Sequence, residues 1–98
     1  MEHDPRAIEA ALAAAVGDEP GLIAELRLAF HDSAGRTLAS LEEAADESAW
    51  REAAWRLKGL AASFGAMPLM ILASAAADQP AGDAATVAKL RRALERLA

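Results

Sequence analysis

The chain has 98 residues, enough for one compact domain with a single modest core and too few for a second lobe. Its 15 acidic and 10 basic side chains give a formal net charge of −5, which argues against nucleic acid as a partner because affinity for phosphate backbones comes from Lys and Arg. There is no cysteine, which excludes disulfides and thiolate metal sites, and no secretory signal pattern, so we expect a cytoplasmic protein.

Two helices are predicted in the first half of the chain. Alanine supplies more than a quarter of the residues and no alternating strand-like run occurs, so we expect an all-α protein. Asp4 and Pro5 predict the start of the first helix, and Gly17 predicts its end. Its apolar stripe consists of Ile8, Leu12, Ala15 and Val16. The second helix begins near Pro20 and keeps one face apolar for about six turns, with Gly35 as a tolerated weak point. That face consists of Leu22, Ile23, Leu26, Phe30, Ala34, Thr37, Leu38 and Leu41.

A third helix is predicted from a cap at Asp46 or Ser48 to about Phe64, where Gly65 marks a break. Residues three, four and seven apart share a side of a helix, and this rule divides the third helix into two faces. The inner face consists of Trp50, Ala53, Ala54, Leu57, Leu60, Ala61 and Phe64. The outer face consists of Arg51, Trp55, Lys58, Gly59 and Ala62. We therefore expect one tryptophan in the core and the other in solvent.

Two more helices are predicted in the last third of the chain. Pro68 suits the start of a fourth helix that ends near Asp78, and its apolar run over residues 67–77 is about half the roughly 20 residues that a membrane-spanning helix requires. We expect Met67, Leu69 and Met70 to fill the core. A fifth helix begins near Asp83. Its inward residues are Val87, Leu90, Leu94 and Leu97. Four long helices and one short one predict an antiparallel up-and-down four-helix bundle with a short N-terminal capping helix, as one domain over residues 1–98.

The segment from Ala54 to Met67 resembles the signature helix of histidine phosphotransfer (HPt) domains. In that family the helix reads Ala-His-x-Leu-Lys-Gly, followed by small residues, an apolar residue and Gly-Ala. The match is dense from Leu57 to Ala66, and Phe30 lies where the second helix of the family usually carries an aromatic residue. Trp55 occupies the position that the family gives to its phosphoacceptor histidine. The residues around position 55 resemble those of the family, whereas the phosphoacceptor histidine itself is missing.

The resemblance implies a protein that takes part in bacterial two-component signalling. HPt domains accept a phosphoryl group from one receiver aspartate and pass it to another without hydrolysing ATP, so neither an enzyme activity nor a cofactor is expected. The resemblance makes Lys58 the charge-balancing lysine, Gly59 the glycine that gives a partner room, and Trp55 the centre of a docking face. An indole N–H donates a hydrogen bond and offers no basic lone pair, so we expect no phosphate at this position. The predicted partner-binding residues are Arg51, Trp55, Arg56, Lys58, Gly59 and Ala62.

Three functions are compatible with the sequence. The first is a pseudo-HPt protein that binds a response-regulator receiver domain or a histidine kinase through Trp55 without carrying phosphate. The second is an active phosphotransfer protein, either with His31 as its acceptor or as a histidine-to-tryptophan variant of an active HPt domain. The third is a structural bundle that self-associates through Trp55, so the expected state is a monomer or a weak homodimer. The first is preferred because the face around Trp55 is kept while the nucleophile is missing. Neither His3 nor His31 has a neighbouring lysine and glycine, so both are expected to be solvated surface imidazoles and not substitute acceptors.

The other polar residues predict neither a metal site nor a catalytic site. Zinc usually takes several nitrogen or sulfur ligands, and this chain has only two histidines, far apart in sequence. Glu42, Glu43, Asp46 and Glu47 are better explained as solubilising residues and helix caps than as acid–base catalysts. We therefore predict no metal and no catalytic residue.

Overall fold

The computed structural model describes Ile8, residues 10–12 and residues 19–97, and within them the protein is all-helical, with no strand. The four helices with defined bounds are α1 (Pro20–Glu42), α2 (Glu47–Ser63), α3 (Met67–Ala76) and α4 (Ala84–Glu95). They confirm the all-α prediction and the second to fifth predicted helices. Ile8 and residues 10–12 are also helical, and both Ile8 and Leu12 are buried, as expected for the first predicted helix. His3 lies outside the described residues. So do the other residues named for the first predicted helix, which are Asp4, Pro5, Ala15, Val16 and Gly17.

The helix starts follow the local chemistry of the sequence. The carboxylate of Asp46 accepts the backbone N–H of Ala49 at 2.8 Å, and the carboxylate of Asp83 accepts the backbone N–H of Thr86 at 3.0 Å. These bonds satisfy amide groups that have no partner inside the helix, which stabilises the first turns of α2 and α4. Helices α1 and α3 instead carry a proline in the first turn, where its missing N–H costs nothing. Of the two predicted caps of α2, Asp46 is therefore the one used.

Helix α2 ends in a Schellman motif centred on Gly65. Gly65 has φ of 73°, and its N–H donates to the carbonyl of Ala62 at 3.2 Å. The N–H of Ala66 donates to the carbonyl of Ala61 at 2.9 Å, which is the six-to-one bond of this motif. Because a left-handed φ is strained for residues that carry a Cβ, glycine suits this turn. The turn reverses the chain and brings α3 back along α2.

Each helix packs against two of the others. Helix α1 contacts α2 and α4, and α3 also contacts α2 and α4, whereas among the described residues no Cα atoms of α1 and α3, or of α2 and α4, come within 8 Å of each other. The shared core contains many alanines, which let the backbones approach closely, around a few large side chains. The largest fully buried side chains are Trp50, Leu38, Leu41, Leu57, Leu69 and Leu90. An ion pair between Glu42 and Arg91 connects the end of α1 to α4 at the surface.

Two predicted core positions are wrong. Met67 is 47% exposed, and Leu22, assigned to the apolar face of the second helix, is exposed as well. Leu69 is buried and Met70 is half-buried, as predicted. Met67 lies at the first position of α3, where the turn at Gly65 leaves the side chain outside the contact with α2.

Gly35 does not interrupt α1, which continues through it. No helix of the described part is both long enough and apolar enough to cross a membrane.

Candidate functional site

The candidate site is the outer face of α2, and the rotation of that helix is determined by its inner face. Trp50 is fully buried, and its indole N–H donates to the carbonyl of Ala76 at the end of α3, at 2.8 Å. The other buried residues of the helix follow at helical spacing. They are Ala53, Ala54, Leu57 and Ala61. Leu60 and Phe64, also assigned to this face, are half-buried. The predicted inner face is therefore confirmed, with its last turn partly open.

The predicted outer face is exposed in full. All six residues predicted to bind a partner are solvent-accessible. They are Arg51, Trp55, Arg56, Lys58, Gly59 and Ala62. Trp55 retains 58% of its accessible surface, which is unusual for the largest apolar side chain and makes it the most prominent feature of this face. The structure thus brings these residues together on one helix surface.

Gly59 lies one turn after Trp55. Because it has no side chain, the helix surface is recessed at that point. A Cβ added to Gly59 would meet nothing within 4 Å, and its φ is not positive. Neither packing nor backbone conformation therefore requires glycine here. The hydroxyl of Ser63 donates to the carbonyl of Gly59 at 2.9 Å, so the nearby polar group is turned toward the helix backbone. An approaching molecule would find open space beside the indole.

The three cations among the predicted partner-binding residues differ in their pairing. Arg56 lies 3.4 Å from the carboxylate of Glu52, one turn earlier, in an exposed pair that sequence analysis missed although its spacing signals it. Arg51 and Lys58 make no ion pair or side-chain hydrogen bond within the described part of the chain. Two positive charges near Trp55 are thus available to an anion. This local charge contrasts with the net charge of −5 for the whole chain.

The chemistry of this face is limited to apolar contact and hydrogen-bond donation. The indole of Trp55 presents a flat apolar ring and one N–H donor, and neither can accept a phosphoryl group. Lys58 and Arg51 supply further N–H donors, and the small residues Gly59 and Ala62 follow Lys58 on the exposed surface of the helix. Among the residues that the structure describes, no group of His, Asp and Glu side chains is arranged to hold a metal ion.

His31 is not the solvated surface imidazole that we expected. It is half-buried, and its Nε2 lies 3.2 Å from the carbonyl oxygen of Leu94 near the end of α4. A carbonyl can only accept, so Nε2 carries the proton in this bond and is not free as a nucleophile. The neighbouring Phe30 packs on Phe64, with ring centroids 4.8 Å apart. His31 thus joins α1 to α4 and has a structural explanation.

Two exposed apolar residues of α3 were missed by sequence analysis. Met67 and Ile71 are 47% and 48% exposed, and they lie one turn apart on the same side of the helix. Nearly every residue of α3 is apolar, so the hydrophobic pattern could not show which side faces solvent. On α1, Leu28 is the most exposed large apolar residue of the described part, at 72%. These residues provide comparison positions for tests of Trp55.

Comparisons with protein-family models, with curated proteins and with solved structures find no match to this chain.

Proposed function

We propose that this protein is a pseudo-HPt module of a bacterial two-component phosphorelay, built as an up-and-down four-helix bundle with a short N-terminal helix. It binds a response-regulator receiver domain or a histidine kinase through the outer face of α2 and does not carry phosphate. The observation that carries the proposal is the exposure of Trp55, at 58%, in the position that the HPt signature gives to its histidine. Pairwise contacts of α1 to α4 around one core support the bundle.

The surroundings of Trp55 support binding without transfer. A phosphoacceptor histidine reacts through a neutral ring nitrogen, and tryptophan has none with a basic lone pair. Lys58 and Gly59 nevertheless keep the identity and the exposure that the HPt pattern requires. In this proposal the protein binds the surface of a signalling partner on which a phosphotransfer domain would dock. It thereby regulates or sequesters that partner.

The energetics favour Trp55 as the anchor of the interface. Aromatic side chains at the centre of an interface commonly contribute most to binding, and their truncation costs about 2 kcal/mol or more, roughly a thirtyfold change in Kd. Because Trp55 is already exposed and its removal leaves no cavity, Trp55→Ala should weaken binding with little effect on the free energy of unfolding. The matched control is Leu28→Ala, which removes an exposed apolar side chain of α1.

The test uses wild type, Trp55→His and Trp55→Ala with a panel of receiver domains phosphorylated by acetyl phosphate and a panel of histidine kinases. Phosphate on each protein is followed with a radioactive label, and binding is followed by titration. We expect wild type to bind without gaining phosphate, Trp55→His to gain it, and Trp55→Ala to lose binding. Phosphate on wild type would contradict the proposal, as would undiminished binding by Trp55→Ala. Concentration-dependent dimerisation lost in Trp55→Ala, with no receiver or kinase bound, would favour the self-associating bundle.

A further inference from the structure

Helix α3 presents an uncharged apolar surface to solvent. Among the four helices with defined bounds, it alone has no charged residue. Met67, Ile71 and Ala75 are exposed, and because residues four apart share a side of a helix, they form one row, which we call the α3 row. About half the surface of Met67 and of Ile71 stays in water, so a partner that covered the row would gain from apolar burial.

An open cavity of about 300 Å³ lies between α3 and α4 at the Ala75 end of the α3 row. Its apolar wall consists of Leu72, Ala75, Ala76 and Leu90. Asp83 and Lys89 line it from the α4 side. An apolar cavity of about 150 Å³ is enough for a benzene-sized molecule, so this one has room for the unbranched side chain of a methionine. One end of the α3 row is therefore a projecting side chain, and the other end is a recess.

We propose that two copies of this chain associate through their α3 helices, which lie antiparallel about a two-fold axis at Ile71. In such an interface the same patch of both copies meets, so a residue four positions before Ile71 lies opposite a residue four positions after it. Met67 of each copy then enters the cavity beside Ala75 of the other, and Ile71 packs against its own counterpart. The inference does not depend on binding of a receiver or a kinase through α2.

The charges favour a second copy as the occupant of the α3 row. A different protein attracted by electrostatics would need charged groups on the face that it contacts, and α3 offers none. Each copy carries a net charge of −5, so two copies approach with least repulsion through an uncharged face. Asp78 lies just past α3, seven residues after Ile71. At 1.5 Å per residue, the two Asp78 side chains would lie roughly 20 Å apart, where salt screens their repulsion.

The experiment measures the mass of wild type by sedimentation equilibrium from about 10 μM to roughly 1 mM. We expect the average mass to rise with concentration toward twice the 10.2 kDa of the chain. Ile71→Lys places like charges opposite each other at the axis and should raise the Kd of the dimer by roughly tenfold or more. Leu28→Lys is the matched control, because it adds the same charge at an exposed leucine of α1 and should leave the Kd unchanged. Circular dichroism checks that both variants are folded.

Cysteine substitution tests the contact at the axis, because the chain has no cysteine of its own. Under oxidation, Ile71→Cys should form a disulfide-linked dimer faster than Leu28→Cys, since residue 71 meets its own counterpart. A wild-type protein that stays monomeric up to roughly 1 mM overturns the inference, as do equal cross-linking rates in the two variants. Dimerisation that is lost in Trp55→Ala but kept in Ile71→Lys also overturns it and assigns self-association to the outer face of α2.

Discussion

The indole N–H of Trp50 and the carbonyl oxygen of Ala76 form a buried hydrogen bond of 2.8 Å. The bond connects the first turns of α2 to the last residue of α3, and Trp50 has no exposed surface. With Trp50 held inside, the rotation of α2 is determined. A residue five positions later is turned by about 140° around the helix axis, which directs Trp55 to solvent. The core tryptophan thus sets the orientation of the exposed one.

The first prediction compares the two tryptophans. Trp50→Phe removes the hydrogen bond to Ala76 and leaves a cavity in the core, so the free energy of unfolding should fall by about 2 kcal/mol. Trp55→Phe is the matched control and should change it by no more than about 0.5 kcal/mol. Urea denaturation followed by circular dichroism measures both. Equal losses in the two variants would contradict the assignment of Trp50 to the core and Trp55 to the surface.

The second prediction separates stability from binding at Gly59. Because a Cβ there meets nothing, Gly59→Ala should raise the free energy of unfolding by roughly 0.8–1 kcal/mol through helix propensity. The same methyl group narrows the approach to Trp55, so binding of a receiver or kinase should weaken. Gly35→Ala, at a half-buried helical site of α1 where an added Cβ also meets nothing within 4 Å, should give a similar gain in stability and unchanged binding. Unchanged binding by Gly59→Ala would show that the partner does not approach at this point.

The third prediction concerns the turn between α2 and α3. Gly65 has a φ of 73°, so Gly65→Ala places a Cβ in the left-handed region and should lower the free energy of unfolding by about 1–2 kcal/mol. Gly21→Ala, in the first turn of α1, has open space and no positive φ and should be nearly neutral or stabilising. Thermal and urea unfolding measure the difference. A neutral Gly65→Ala would show that the turn relaxes to another conformation.

The fourth prediction concerns acid pH. Hydrogen bonds from the side chain and the backbone of Thr86 hold the pKa of Asp83 below its ordinary value of 3.8. A lowered carboxyl pKa means that the folded state favours the ionised form, so this contribution to stability is present above pH 3.8 and is lost as the pH falls through the folded-state pKa.

The check on Asp83 is a comparison with Asp83→Asn. The variant should be less stable than wild type at pH 7, and the difference should shrink as the pH is lowered below 3.8 toward 2. Urea midpoints across this range measure it. A difference that stays constant with pH would mean that the pKa of Asp83 is the same in the folded and unfolded states.

Much of the fold could be predicted because its signals are local. Asp46 and Asp83 cap helices in the structure as their positions in sequence suggest, and Gly65 ends a helix where expected. The two faces of α2 were also predictable, since polar and apolar residues alternate there with helical period. Helix α3 was harder, because its residues are apolar on every side and periodicity selects no face. The exposure of Met67 and Ile71 therefore came only from the packed structure.

The sequence alone determined that the chain forms helices, to within a residue where four of them begin, and that residue 55 cannot accept a phosphoryl group. These properties depend on caps, glycines, prolines and the chemistry of one side chain, all of which are local. The tertiary structure decided that Trp50 bonds to Ala76 and that His31 bonds to Leu94. It also decided which cations of α2 stay unpaired. Such contacts join residues far apart in the chain, and they exist only after the helices have packed in one particular rotation.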